Sequence, residues 1–387
     1  MGFGEAGRPL QVASVGAHVA PSQRRAYRIE DVKTWDVIVA GGGVIGLSLA
    51  WELRKRGASV LVLERGELGG EASSAAGGML AWCDPHLPEA ARALAALCAE
   101  CYGEFVAEIE EASGTGVDLR KFGTIVVDEG KPAAFLAESR KLSSAELAEM
   151  EPGLRVGRRD VQWWPEWSVD PRRLMAGLSV ACRAQGVEVN TGVAATEVVV
   201  EKGRAKGVRV ARGQFSAAAV VNCAGAWAGD IACGLEPSPS PTRPVKGQML
   251  AVADGGGLRY VVRAPEVYLI PRSDGSVVVG ATVEEAGFNK EMRQEAIERL
   301  RAAAVALVPE LGAIREAWAG LRPRAVDGLP ILGETSLPGY FVATGHFRDG
   351  ILLAPGTAKV MAGLVLGESG GFEALSPKRF GFGAAVA

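Results

Sequence analysis

The chain has 387 residues, 48% of them hydrophobic and 22% charged, with a formal net charge of -3. That length accommodates two cores of ordinary size, and the balanced charge gives no electrostatic reason to approach nucleic acid or an anionic membrane. No run of about 18 or more uninterrupted apolar residues occurs, so no membrane span is expected, and the 51 glycines are scattered through apolar runs, as expected where backbone approaches a ligand closely.

Residues 1–34 lack the apolar stretch of a signal peptide and place their arginines late, so they read as a flexible N-terminal extension of a cytoplasmic protein. A short buried strand, Val37 to Ala40, then breaks into Gly41-Gly42-Gly43-Val44-Ile45-Gly46. Residues Val44 to Arg56 have helical composition, Gly57 is placed as a C-terminal cap, and "SVLVLE" supplies a second strand closing at Glu64. This is G-x-G-x-x-G between a strand and a helix, the setting in which it binds dinucleotides. Gly41 permits the tight turn, Gly43 lets backbone approach a pyrophosphate at the helix N-terminus, Gly46 lets helix and strand pack, and Glu64 accepts from ribose hydroxyls. The following "RGELGGEASSAAGGML" is too poor in bulky side chains for an ordinary helix core. It suits backbone lying along a long flat ligand, which favours a flavin over a nicotinamide.

"EAARALAALCAECYGEFVAEIEEA" reads as a helix in which the C-x-x-C of Cys98 and Cys101 packs the core, because the chain has no second such pair and only three histidines. With Cys83, Cys182, Cys223 and Cys233 irregularly spaced, all six cysteines are expected as reduced thiols, and no metal site is expected. Ser143 and Glu146 form a capping box that opens a further helix. "VQWWPEWSVD" brings Trp163, Trp164 and Trp167 together, and a lid over a cofactor or packing between domains both remain open. From Val187 onward, strands separated by glycine and charged turns form a meander that returns to the first sheet through "AAVVNCAG". Near the C-terminus, "GHFRDGILLAPG" packs four polar or aromatic side chains ahead of an apolar helix beginning at Ile351.

Taken in order, "VIVAGGGVIGLSLAWEL", "GGEASSAAGGML", "KFGTIVV", "VVNCAGAWAG", "PVKGQML", "YLIPRSDGSVVVGATVE", "WAGLRPRAVDGLPILG" and "GHFRDGILLAPG" resemble the FAD-dependent amino acid oxidase family, which groups D-amino acid, sarcosine and glycine oxidases. The resemblance runs from about Trp35 to Phe380 and is closest to the glycine oxidase branch, which serves thiamine biosynthesis. It implies an α/β fold in which a Rossmann-like FAD-binding domain of the glutathione reductase and p-hydroxybenzoate hydroxylase type joins a substrate domain on a mixed, largely antiparallel sheet. The FAD domain would comprise 35–110, 169–243 and 334–387, and the substrate domain 111–168 and 244–333.

By the same comparison Val44, Ile45, Glu64, Arg65, Ala72, Ser73, Gly77, Gly78 and Met79 contact FAD, and the backbone of Val193 meets the adenine. The final motif adds His346, Phe347, Arg348, Asp349, Gly350, Ile351 and Leu352. There the helix N-terminus is directed at the flavin pyrimidine ring, Asp349 caps the helix, and Arg348 reaches flavin or substrate. An amino acid must be held by its carboxylate, and a guanidinium does so with two parallel hydrogen bonds. The comparison selects Arg322 for this task, leaves Arg324 facing solvent, and assigns the second carboxylate oxygen to the Tyr268 hydroxyl. Arg322, Tyr268 and Arg348 are therefore the expected catalytic set. The implied reaction is hydride transfer from Cα of glycine or a similar small amino acid to non-covalent FAD, giving an imine, with dioxygen reduced to hydrogen peroxide. The imine would hydrolyse or pass to a thiazole synthase, and the family suggests a homo-oligomer, a tetramer. A flavin dehydrogenase or an oxidase of sarcosine, small D-amino acids or another amine is the alternative, with a non-enzymatic FAD-binding subunit a distant third.

Overall fold

A computed structural model describes residues 33–128 and 139–381, so the expected extension lies outside the described residues except at Lys33 and Thr34. The strand Thr34–Ala40 sits in a parallel sheet ordered Glu188–Thr191, Val60–Glu64, Thr34–Ala40, Gly213–Asn222 and Tyr340–Thr344. Along the chain these are the third, second, first, fourth and fifth strands, so the direction of winding reverses between Thr34–Ala40 and Gly213–Asn222. Ligands of open α/β sheets bind beyond the carboxyl ends of the strands at such a reversal.

Both faces of this sheet are covered, which is why Val37 to Ala40 and Val60 to Leu63 read as unbroken apolar runs. Val37, Val39 and Val62 pack under the helices Val44–Lys55, Glu89–Ser113, Pro171–Ala184 and Gly350–Val365. Ile38, Ala40, Leu61 and Leu63 face the antiparallel meander Ala195–Glu201, Arg204–Val210 and Gly213–Asn222, the last of which then enters the parallel sheet, as the sequence leads one to expect.

A second sheet of eight strands runs from Ile314–Ala325 through Thr242–Val252, Val277–Gly280, Val267–Pro271, Val261–Ala264, Thr124–Val127 and Val161–Trp164 to Arg140–Lys141. Only the pairing of Val261–Ala264 with Thr124–Val127 is parallel. Leu250, Leu269 and Val279 on one face pack against the helix Gln294–Leu307. The opposite face presents Met249, Tyr268 and Ile270. The capping box of Ser143 and Glu146 is present at the helix Ser144–Met150.

The helix Gly350–Val365 contains Pro355, which has no N–H to offer the carbonyl of Ile351 four residues back. The buried hydroxyl of Tyr102 donates to that carbonyl at 3.1 Å instead. Tyr102→Phe leaves the carbonyl without this partner in an apolar interior and is expected to cost about 1–3 kcal/mol. Chemical unfolding of the two proteins measures this directly, and equal stability would show that the bond is dispensable.

Candidate active site

A cavity of about 790 Å³ opens beyond the carboxyl ends of the parallel strands and runs to the face of the second sheet that carries Tyr268. At one end lies the turn Gly41–Gly43. Gly41 has φ +116°, and a Cβ on it would sit 2.4 Å from the carbonyl oxygen of Cys223, so only glycine fits. A Cβ at Gly46 would meet the Gly41 carbonyl oxygen at 2.0 Å, which places Gly46 in helix packing and not in the cavity wall. The Glu64 carboxylate accepts from the amides of Gly42 at 2.8 Å and Gly66 at 2.7 Å, and it lines the cavity. Each of its oxygens keeps a lone pair for a ribose hydroxyl.

Two helices begin in the cavity wall, at Val44 and at Gly350, and neither receives a side-chain cap from its N-cap residue. Ser73 approaches the first, accepting from the Val44 amide at 2.9 Å. Asp349 occupies the N-cap position of the second helix, but its carboxyl does not cap it, contrary to expectation: with φ -101° and ψ 10° the residue lacks the extended backbone that turns an N-cap side chain onto its own helix. Helix N-termini keep N–H groups and positive potential available to anions. Two of them on one elongated cavity suit a ligand with a pyrophosphate at one point and an electron-accepting ring at another.

Arg65, Ala72, Gly77, Gly78, Met79, Phe347 and Ile351 also line the cavity. Val193 does not. Its amide donates to the Glu64 carbonyl at 2.8 Å, and Ala194 to Thr196 form the wall there. Leu352 is buried in the helical core, one position past the wall. None of Trp163, Trp164 and Trp167 lines the cavity. Trp164 is fully buried beneath the guanidinium of Arg263, and Trp167 packs edge-on against Trp82.

At the other end Arg322, on Ile314–Ala325, donates to the carbonyl of Thr282 at 3.0 Å and lies beside Tyr268 on Val267–Pro271. Both are given room by glycines. A Cβ at Gly247 would fall 2.2 Å from Arg322 Nη1, and one at Gly280 would fall 2.6 Å from the Tyr268 hydroxyl. Burial raises the Tyr268 hydroxyl above its ordinary range while Arg322 works in the opposite direction, so the phenol stays protonated at neutral pH. Arg324 does not face solvent as expected. It is half-buried in the cavity wall with its guanidinium over the Phe347 ring, because the turn at His346 and Phe347 pairs with its strand.

Arg348 lines the same cavity, held by Asp84 at 2.9 Å. Asp84 lies 3.9 Å from Arg263, which in turn lies 3.5 Å from the fully buried Glu166. Burial raises the Glu166 carboxyl to about 7, and Asp349 likewise to about 6. Asp84, Arg263 and Glu166 are site residues that the sequence alone does not mark. Their separation along the chain leaves no spacing signal, and the only hint was an arginine inside the apolar strand "VVRA".

His346 is buried, with Nε2 3.1 Å from the Thr357 hydroxyl, and burial lowers its pKa to about 3. The unfolded chain takes up a proton near pH 6.5. Between those values the unfolded state binds more protons, so stability falls as pH falls, by as much as about 1.4 kcal/mol per pH unit. His346→Gln removes this contribution. Its Tm deficit relative to the parent is expected to shrink from pH 7 to pH 4, whereas a constant deficit would contradict a neutral buried imidazole.

The chain is similar to several characterised proteins. It is 36% identical over 349 residues to glycine oxidase of Pseudomonas putida, covering 86% of this chain and 94% of that protein. It is 34% identical over 365 residues to the bifunctional protein ThiO/ThiG of Synechocystis, covering 90% of this chain but 54% of the relative, so the chain spans about half the length of such relatives. The crystal structure of glycine oxidase from Geobacillus kaustophilus superposes with a TM-score of 0.82 at 29% identity, over 89% of this chain and 99% of that one. Residues 36–364 match the model of the FAD dependent oxidoreductase family DAO. With a glycine turn, the Glu64 carboxylate and two helix N-termini on one elongated cavity, the chain belongs to that family of FAD-dependent oxidoreductases.

Proposed function

We propose that the protein is a flavoprotein oxidase of glycine or a similar small amino acid. The observation that carries the reading is the convergence of the Arg322 guanidinium and the Tyr268 hydroxyl on a cavity wall kept open by Gly247 and Gly280. In this reading Arg322 grips the substrate carboxylate, Tyr268 donates to its second oxygen, and the two together aim Cα along the cavity. Bound FAD would supply the two-electron acceptor for the Cα hydrogen and the route of those electrons to dioxygen. Gly41, Gly43, Val44 and Ile45 would hold its pyrophosphate, Glu64 a ribose, and the helix N-terminus at Gly350 the end of the ring that gains negative charge. Arg348, tied to Asp84, would serve as a wall of the site.

Loss of two electrons from glycine gives an imine, which takes up water to form glyoxylate and ammonia, while dioxygen with two protons becomes hydrogen peroxide. Residues 35–110, 169–243 and 334–387 would hold the cofactor, and 111–168 and 244–333 the substrate. The six unpaired cysteines suit a reducing cytoplasm. Relatives in which a ThiO part is joined to a ThiG part support a hand-off of the imine to a thiazole synthase, and a homo-oligomer completes the proposal. Peroxide release with glycine, sarcosine and D-alanine tests it. Turnover of at least one is expected, and silence with all three overturns the reading.

A further inference from the structure

Thr242–Val252 alternates in an unusual way for a strand in the middle of a sheet. Gly247 and Met249 line the cavity, while Lys246 and Gln248, pointing the other way, are 2% and 0% exposed. A buried lysine and a buried amide are costly without partners, and here each has them. Lys246 Nζ lies 3.5 Å from Glu284 and also donates to the carbonyl of Glu291. Gln248 Nε2 donates to Glu284 Oε1 at 2.6 Å, and its carbonyl end accepts from the Arg293 amide at 2.7 Å.

Gln248 and Glu284 both meet at Thr282. Its hydroxyl donates to Glu284 at 2.6 Å and accepts from the Gln248 amide at 2.8 Å, and its own amide donates to the Gln248 carbonyl at 3.2 Å. Lys246 and Glu284 exchange two backbone hydrogen bonds of 2.9 Å, fixing the register of the segment. The Thr282 carbonyl is in turn the acceptor for Arg322 at 3.0 Å.

We propose that Thr282, with Glu284, Gln248 and Lys246 behind it, is a positioning residue for the carboxylate grip: it fixes the carbonyl that orients the Arg322 guanidinium. The inference rests on the reading of Arg322 as the carboxylate ligand. Burial alone would raise the Glu284 carboxyl, yet hydrogen bonds from Thr282 and Gln248 and the charge of Lys246 hold it below its ordinary value, so it stays ionised and keeps its grip on Thr282.

Thr282→Val keeps the shape and deletes the hydroxyl, whereas Thr282→Ser keeps the hydroxyl, and Thr282→Ala replaces the valine variant if that fails to fold. Glycolate binding to each holoenzyme is read from the change in flavin absorbance, together with flavin content and the pH dependence of the binding. The hydroxyl-deleting variant is expected to weaken glycolate about fivefold to tenfold with flavin content unchanged, and Thr282→Ser to stay within about twofold of the parent. The proposal is overturned if Thr282→Val lowers Tm but leaves glycolate affinity intact, or if Thr282→Ser weakens binding as much. Arg322→Ala run in parallel separates the two levels: if that variant also binds glycolate normally, the reading of Arg322 fails and not merely its positioning.

Discussion

Arg322→Ala is expected to weaken glycolate and other small carboxylate ligands by about 100-fold or more while FAD stays bound. A carboxylate held by two charge-assisted hydrogen bonds loses at least about 3 kcal/mol when both donors go, which is about two decades in Kd. The pyrophosphate and ribose positions proposed for FAD, the Gly41–Gly43 turn and Glu64, lie at the other end of the cavity, so flavin content is expected to hold. Gly247→Ala should act in the same direction without removing any charge. Its Cβ would occupy the place of the Arg322 guanidinium, at 2.2 Å from Nη1, and the flexible arginine, not the strand, would move. Titration of each holoprotein with glycolate checks both variants, and unchanged affinity in Arg322→Ala would remove Arg322 from the substrate site.

Gly46→Ala has the opposite signature, with the cofactor lost before the substrate site is touched. The added Cβ would stand 2.0 Å from the Gly41 carbonyl oxygen and 3.2 Å from Val39, and the first of these is backbone that cannot rotate away. The helix Val44–Lys55 must therefore lift off the strand Thr34–Ala40, taking its N-terminal amides away from the turn proposed to cradle the phosphates. Overpacking of this kind costs about 1–3 kcal/mol in stability. The functional loss is larger, and the purified variant should carry little or no flavin by the ratio of visible to protein absorbance. Full flavin content would show that Gly46 has more room than its contacts indicate.

These two variants bracket what the sequence makes readable. Gly41, Gly43, Gly46 and Glu64 could be placed because close backbone approach demands glycine at fixed offsets between a strand and a helix, and local spacing survives in a linear chain. The open N-terminus at Gly350 was equally visible, as a polar turn before an apolar run. Long-range pairing was not. Lys246, Gln248, Thr282 and Glu284 carry their meaning only once two strands and a loop meet, and Asp84, Arg263 and Glu166 are drawn from three separate segments. Arg324 was placed in solvent by comparison with Arg322, two residues away on the same strand. The turn at His346 and Phe347, which pairs with that strand and stacks an aromatic ring under the guanidinium, could not be foreseen. Asp349 departs from the expected cap for a local reason: an aspartate before a helix has the composition of a cap but here lacks the backbone angles of one.

The central claim is that a small amino acid, held by Arg322 and Tyr268, gives up electrons to FAD in this cavity. Its most direct measurement is the visible spectrum of the yellow holoprotein under strictly anaerobic conditions after adding glycine, then sarcosine and D-alanine to fresh samples. Bleaching of the flavin band with at least one of them, abolished in Arg322→Ala at the same concentration and reversed on admitting air, is the predicted result. A spectrum that stays yellow with all three would contradict the account.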